Sequence, residues 1–438
     1  MVLDAGRNVE LSAAENRRES QNNSQIKSSG IGATIGLTGK QAGLSFDVYA
    51  NKGKEKEREQ RVTHTGSHIT AENEAIIHSG KDTDIVGGKV SGKQVTIHTG
   101  ENLKLESLQD THTYTDTSKN AGIHAGYGGG SVSLSGNASK QDIESRHKSV
   151  TEQAGVHAGE DGFTVQVGKN TSLQGAVIDS QADAAKNILD TGALSWSDVK
   201  NTAKYKASGM GIGLSETTAP AYADSRKLNE RGLTPEVLPT VKGDAESVTK
   251  AGISAGTIVI RDKENQIQNF SDLNRNTQNS LQKLGEIFDK TKVKERQELV
   301  SELGKVGNRA IHELAARKGW QEGSDEKILA HSIFGGLLSS IAGGKIATGA
   351  LSGGVGEYVN GRIIAAKGVK WVEQHPDEVQ WISLAVGSAV GVVTGESSIG
   401  SNVSLGGTKW NDEALDLKEI TFITFLLGLT QKDNLGRL

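Results

Sequence analysis

Short segments of this chain return at fixed distances, and that self-similarity limits the possible fold more than any other feature of the sequence. His78-Ser79-Gly80-Lys81-Asp82 comes back twenty residues later as His98-Thr99-Gly100-Glu101-Asn102, with Ile77 answering to Ile97 and Ile85 to Leu105. The runs Ala75-Ile76-Ile77, Gln94-Val95-Thr96-Ile97 and Leu103-Lys104-Leu105 are separated by Gly or Asn/Asp turns and alternate apolar with polar residues. That pattern suits short, half-buried strands. Strands so short cannot bury an apolar face alone, so the period near twenty predicts stacked coils of a β-solenoid, a parallel β-helix.

A longer period lies above the first. Gly80-Lys81-Asp82-Thr83-Asp84-Ile85 returns 88 residues on as Gly168-Lys169-Asn170-Thr171-Ser172-Leu173, and Val62-Thr63 as Val150-Thr151. Gly6-Arg7-Asn8-Val9-Glu10-Leu11 matches Gly100-Glu101-Asn102-Leu103-Lys104-Leu105. Lys27-Ser28-Ser29-Gly30-Ile31, Lys119-Asn120-Ala121-Gly122-Ile123 and Lys206-Ala207-Ser208-Gly209-Met210 form a threefold series. Roughly ninety residues make one super-repeat. The chain opens inside such a unit and lacks a signal peptide, which together suggest a fragment of a longer reading frame. Each super-repeat carries a polar excursion, Asn51 to Arg61 and Ser139 to Ser149, expected to leave the stack as a loop or extended hairpin that a partner can touch. The mixed-sign run from Lys52 to Arg61 reads as a solvated loop. Gly126-Tyr127-Gly128-Gly129-Gly130 lacks the Gly-Lys-Ser/Thr ending of a phosphate loop and reads as a bend of the β-helix.

The character changes after residue 224. Residues 225–254, with Pro235 and Pro239, are expected to be a linker. Ala255 to Asp262 reads as one last strand pair or edge. From Ser271, a candidate N-cap, to Lys318 the spacing is helical, with Leu281, Leu284, Ile287 and Phe288 on one face and Leu299, Leu303 and Val306 on another. Gly, Ala, Ser, Ile and Leu dominate from Lys327 to Ile364 and again from Val379 to Thr394. The expected organisation is therefore 1–224 β-helical repeats, 225–254 linker, 255–411 a mainly α-helical, glycine-rich region and 412–438 a short tail. Gly387, Gly391 and Gly395 lie four apart and would form a smooth strip that lets another helix approach. The apolar runs fall short of the ~18 residues a membrane span requires. Close packing of short helices inside a soluble domain is the plain reading, and transient membrane contact through these helices is the alternative.

Composition narrows the chemistry. With 35% hydrophobic residues and 55 glycines, small residues replace the usual large ones, so any core is thin. A formal charge of −4 offers no net positive field for nucleic acid. The absence of cysteine excludes disulfides, thiolate zinc sites and thiol nucleophiles. His78, His98 and His157 could stack along a solenoid edge as metal ligands, but no carboxylate accompanies each at fixed spacing, and solvated rung residues are the simpler reading. His331, in an apolar helix, reads either as a pH-sensitive element or as a hydrogen-bonded core residue. No Ser-His-Asp, paired-carboxylate or HExxH arrangement stands out, so no catalytic, metal or cofactor residue is expected, and no enzyme.

The twenty-residue rungs, the Lys-x-(Ser/Ala)-Gly-(Ile/Met) series and Thr191-Gly192-Ala193-Leu194-Ser195-Trp196-Ser197-Asp198 resemble the haemagglutinin repeats of two-partner-secreted, filamentous haemagglutinin-like exoproteins. Ile260 to Gln266, Leu273 to Thr277, Ile287 to Lys290, Ile328 to His331 and Gly407-Thr408-Lys409-Trp410-Asn411 are similar to the pretoxin region of contact-dependent growth inhibition effectors. The resemblance implies a β-helical filament secreted to the surface of a Gram-negative cell by a partner outer-membrane transporter. It also implies delivery of a C-terminal toxin into a target cell whose surface is contacted, and an immunity protein where a toxin is present. No Val-Glu-Asn-Asn boundary motif occurs, and only 27 residues follow Asn411. The chain therefore reads as a non-catalytic stalk and delivery segment. An adhesin binding host or bacterial surfaces, or the remnant of a precursor carrying a toxin enzyme, are the alternatives.

Overall fold

The computed structural model describes residues 1–36, 43–128, 130–218 and 231–410. The expected tail, 412–438, lies outside them.

Among the described residues the parallel strands form six rungs of a three-sided solenoid. The first rung holds β1 (Val2–Ala5), β2 (Val9–Ser12) and, after a long excursion consisting of β3 (Ala14–Gly36) and β4 (Gly43–Thr65), β5 (Ser67–Thr70). The second holds β6 (Glu74–Ser79), β7 (Thr83–Val86) and the start of β8 (Gly88–Thr99). The third takes the end of β8 and β9 (Leu103–Glu106), then leaves through β10 (Gln109–Gly128) and β11 (Ser131–Val150). It returns at the start of β12 (Gly155–Gln174), whose remainder forms the fourth rung with β13 (Val177–Ser180). The fifth is β14 (Ile188–Ser197), an excursion through β15 (Val199–Thr217) and β16 (Gly232–Thr249), and β17 (Gly252–Ile253). The last is β18 (Thr257–Ile260), the final strand the sequence led one to expect.

The twenty-residue echo is stacking register. Ile77 and Ile97 are ladder partners, as are Ile85 and Leu105, and each belongs to an aliphatic column inside the solenoid. One column runs Leu3, Ile77, Ile97, Val165, Leu189, Ile258. A second runs Leu11, Ile85, Leu105, Leu173, Trp196, and a third Ile69, Val90, Val156, Ile178, Ile253. From Ile77 through Leu189 the first column is fully buried. At one corner Ser79, Thr83 and Thr99 exchange hydroxyl hydrogen bonds of 2.7 and 2.8 Å, so the polar residues that turn the chain inside are satisfied there.

The ninety-residue period has a separate cause. Every second rung emits a hairpin at the same corner, and the three hairpins pair into one antiparallel sheet of order β16-β15-β11-β10-β4-β3. Two rungs are about 9.6 Å high and a hairpin is two strands wide, also about 9.6 Å, so successive hairpins meet edge to edge without strain. The polar excursions are thus the basal halves of extended hairpins. The threefold Lys-x-(Ser/Ala)-Gly-(Ile/Met) series lies in the outgoing strands β3, β10 and β15, one copy per hairpin. Gly126, Tyr127 and Gly128 close β10 at the end of the β10–β11 hairpin rather than forming a solenoid bend.

Two further expectations are corrected. Gly232–Thr249, inside the stretch expected as linker, is the edge strand β16; an edge tolerates Pro235 and Pro239 because an imide nitrogen facing outward forfeits no ladder bond. The first helix starts at Lys290 rather than near Ser271, with the Asp289 side chain accepting from the Thr291 and Lys292 amides. Residues 271–289 form a strap along the solenoid, held by Ile253 N to Asn274 O (3.0 Å), Lys250 N to Ser280 O (2.8 Å) and Leu284 N to Ser149 Oγ (2.9 Å). Those bonds to the neighbouring β-structure replace the intrahelical ones that the apolar spacing suggested.

The helical part comprises α1 (Lys290–Lys318), α2 (Asp325–Ile341), α3 (Ile346–Lys367), α4 (Val369–Gln374), α5 (Pro376–Thr394) and α6 (Ser397–Lys409). It packs along β16 and over one face of the hairpin sheet. The α1 residue Val293 joins Tyr114, Ile143 and Ala207 in a small core there. Gln297 donates to the Pro239 carbonyl at 2.7 Å, and Trp381 to that of Leu233 at 2.9 Å.

Candidate functional site

In an antiparallel ladder, residues directly opposite one another point to the same side of the sheet. Near the hairpin tips one side reads Ile31, Val48, Ala125, Leu134 in one row, which ends on Glu216 in β15, and Ala33, Phe46, Tyr127, Val132 in the next. Ile35 and Leu44 follow outward, and Ala50, Ile123, Gly136, Leu214, Leu233 lie one row inward. The large residues of these rows are exposed, Ile31 to 84% and Ile123 to 64%. An apolar face of this extent, unlike scattered surface hydrophobics, marks an interaction site.

The reverse side of the same rows is small and polar: Gly30, Tyr49, His124, Ser135, Ser215, then Gly32, Asp47, Gly126, Ser133. Beneath the apolar rows lies a basic collar of Lys27 and Lys52, then Lys54, Lys119 and Lys140. Lys140 is paired with Asp142 at 2.6 Å. Apolar residues thus alternate with small or polar ones over Ile31–Ile35 of β3, Leu44–Ala50 of β4, Ile123–Tyr127 of β10 and Val132–Gly136 of β11, the pattern of strands with one apolar and one polar side. Among the described residues no helix is long and apolar enough to cross a membrane.

The charge run Lys52 to Arg61 belongs to this design rather than to a loop. Its signs alternate with the strand period, placing Lys52, Lys54, Lys56 and Arg58 on the collar side and Glu55, Glu57 and Glu59 on the helix side. There Lys290 lies 3.3, 3.4 and 3.0 Å from Glu55, Glu57 and Asp116, and 5.6 Å from the Tyr114 ring centre. Burial raises the Asp116 carboxyl above its usual range, while Lys290 stays charged because its bonds to Tyr114 and Asp116 outweigh its own burial. His112 bridges Glu59 and Glu286, 3.0 Å from each. Period-two sign alternation was a strand signal available in the sequence.

The histidines separate. His78 and His98 are ladder partners on adjacent rungs, and His78 Nδ1 is 2.7 Å from Asp4. His157 lies on another ladder, opposite Ser91 and Asp179. His157 and the hydroxyls of Thr277 and Ser254 hold the Asp179 carboxyl down to about 2, which ties the strap to the solenoid. Among the described residues no group of three or more His, Cys, Asp or Glu side chains is placed to hold a metal.

In the helical part glycine sets the packing. A Cβ on Gly387 would strike the Gly400 carbonyl, and one on Gly400 the Gly387 carbonyl, so α5 and α6 touch backbone to backbone; Gly391 meets Ser397 and Glu396 likewise. Gly335 and Gly349 make the same reciprocal contact between α2 and α3. Gly395 stands apart from the strip: with φ +82° it is the left-handed C-cap of α5. His331 is buried beside Glu357, with Nε2 3.4 Å from Oε2, and Lys327 is fully buried against Glu322 and Glu357. Burial, then the Glu322 charge, raise the Glu357 carboxyl to about 7 against the pull of Lys327.

The chain matches the family described as Hemagglutinin repeat over residues 1–121 and 115–212. It is 37% identical over 319 residues, 72% of its length, to Deoxyribonuclease CdiA of Yersinia pseudotuberculosis serotype O:3 (strain YPIII), covering 29% of that protein. It is 37% identical to Toxin CdiA of Yersinia pestis and 35% to tRNA nuclease CdiA of Escherichia coli (strain NC101), again over 72% of this chain but 9% and 10% of those proteins. The chain therefore spans less than a third of the length of each of these relatives. No solved structure matches it.

Proposed function

Since this chain belongs to the hemagglutinin-repeat exoproteins of contact-dependent inhibition, the family of the CdiA proteins, we propose that it is a non-catalytic stalk and delivery segment whose hairpin tips engage a target-cell membrane. The observation that carries this reading is the exposed apolar face of the hairpin sheet above its lysine collar. Apolar side chains enter the acyl region while ammonium groups meet anionic headgroups. The solenoid beneath supplies a rigid column from which the hairpins project together.

The relatives support a carrier role. Proteins named for deoxyribonuclease and tRNA nuclease activity share this same region, as expected of a common carrier and not of a nuclease centre. No catalytic residue is assigned to this chain. Proteins of this family are secreted or surface-displayed by Gram-negative bacteria, and a partner outer-membrane transporter and the target-cell surface are the proposed contacts.

Flotation with vesicles of phosphatidylethanolamine and phosphatidylglycerol tests the reading. The parent chain is expected to float, and the double variant Ile31→Asp, Leu134→Asp to stay at the bottom with unchanged circular dichroism. Equal flotation of both, or of neither, would overturn the membrane role of this face.

A further inference from the structure

Helix α1 lies on the acidic side of the hairpin sheet, whereas α5 overhangs the opposite side along the β16 edge. Two faces of α5 make different contacts. Gly387 and Gly391 bring it against α6 backbone to backbone. Trp381, Leu384, Ala385 and Ser388, spaced i, i+3, i+4 and i+7, lie together on a second face. The Trp381 indole donates to the Leu233 carbonyl at 2.9 Å, which fixes this face at the sheet edge. Between it and the sheet runs an open groove of about 980 Å³.

The floor of the groove changes character from strand to strand. One ladder row reads Lys119, Lys140, Met210, Val237 from β10 to β16, and the next row outward Ala121, Ala138, Ile212, Pro235. In the other direction these rows continue to Lys54 and Lys52 on β4. The floor is therefore cationic at one end and apolar beside α5, over three interstrand spacings, about 14 Å. Met210 is 70% and Ile212 41% exposed although both line the groove, so the protein's own side chains leave the space unfilled. Among the described residues Lys119 forms no ion pair, whereas Lys140 is held by Asp142. The adjoining row Ile123, Gly136, Leu214, Leu233 joins the groove to the exposed apolar face of the hairpins.

We propose that this groove takes one acyl chain of an anionic phospholipid, with the chain over Met210, Ile212 and Pro235 against Trp381 and the phosphate at Lys119. The inference rests on the membrane reading above and deepens it: the hairpin face meets the bilayer, and the groove holds a single lipid from it. Burial of the chain drives binding, and the ammonium group selects the headgroup. The volume suits such a ligand, since small-molecule clefts run to about 300–1,000 Å³. An added peptide strand fits poorly, because the outward Leu233, Val237 and Pro239 carbonyls of β16 already accept from Trp381, Asn402 and Gln297.

The probe is a lysophosphatidylglycerol with a bromine at the end of its acyl chain, used below the concentration at which it forms micelles. Bromine quenches a nearby indole, so the parent should lose fluorescence on titration, and Trp381→Phe should lose that response. Ala385→Phe fills the groove from the helix and Met210→Trp from the sheet; each should weaken binding by roughly tenfold or more, read by equilibrium dialysis. Lys119→Glu should erase the preference for the glycerol over the choline headgroup. Because the probe is monomeric, Ile31→Asp, Leu134→Asp should bind it as the parent does, so failure of the groove and failure of vesicle flotation are read separately. Absence of a Trp381-dependent signal, equal affinity in the parent and both filled variants, or tighter binding of the corresponding brominated fatty acid than of the lysolipid would overturn the proposal.

Discussion

Gln266 holds Leu194 as a neighbouring strand would: its Oε1 accepts from the Leu194 amide at 2.8 Å and its Nε2 donates to the Leu194 carbonyl at 2.9 Å. Gln268 does the same for Trp196 two residues on. A carboxamide presents one donor and one acceptor in a plane, which matches the backbone of a missing strand.

Replacing Gln266 with Ala should therefore leave two backbone groups of β14 without their partners and destabilise the solenoid end by about 1–3 kcal/mol. Gln266→Glu should cost a similar amount, since a carboxylate cannot donate to the Leu194 carbonyl. Urea denaturation together with exchange at the Leu194 and Trp196 amides would show it; unaltered protection in both variants would mean the cap is ornamental.

Gly391→Leu is expected to force α5 from α6 and to destabilise the helical part by roughly 1–3 kcal/mol. Gly387→Ala, a single added carbon aimed at the Gly400 carbonyl, should act in the same direction. Gly395→Ala should be destabilising for another reason, the left-handed backbone at that position, and Gly395→Asn should recover part of the loss. Thermal melts of the four proteins beside the parent distinguish packing from backbone strain.

Lys290→Met removes the cation that faces Glu55, Glu57 and Asp116, leaving a nearly buried carboxylate beside two others. A loss on the order of 2 kcal/mol at neutral pH is expected, with α1 loosening from the hairpin sheet. Protease cleavage near residues 286–292 should rise in the variant. Adding Asp116→Asn should restore part of the stability, and a double variant no better than the single one would refute the coupling.

Glu357 makes stability depend on pH in an unusual direction. Its folded value of about 7 lies above the ordinary 4.5, so between those values the folded chain holds a proton that the unfolded chain has lost. The contribution of this group is therefore most favourable below pH 4.5 and declines as pH rises through 7. Denaturation of the parent between pH 4.5 and 8 should show that decline, and Glu357→Gln should flatten it. A slope that persists in the variant would assign it to another group.

The sequence by itself determined the rung and its contents. Ile77, Ile97, Ile85 and Leu105 repeat at twenty residues because parallel stacking places equivalent residues directly above one another, and local alternation suffices to say which of them face inward. Glycine spacing likewise announced Gly387 and Gly391 as a helix contact, since four residues return a side chain to nearly the same face. Tertiary structure decided the rest. Nothing local distinguishes Gly395, a cap, from its two predecessors, because the end of a helix depends on where its backbone stops finding partners. The apolar spacing of Leu281, Leu284 and Ile287 suggested a helix, but bonds to Ser149 and Lys250 drew that stretch into a strap. Alternation in Lys54-Glu55-Lys56-Glu57 specifies two faces without saying which is covered. Only the arrival of Lys290, more than two hundred residues later, makes the acidic side an interface and leaves the basic side and the apolar tips above it open to a partner.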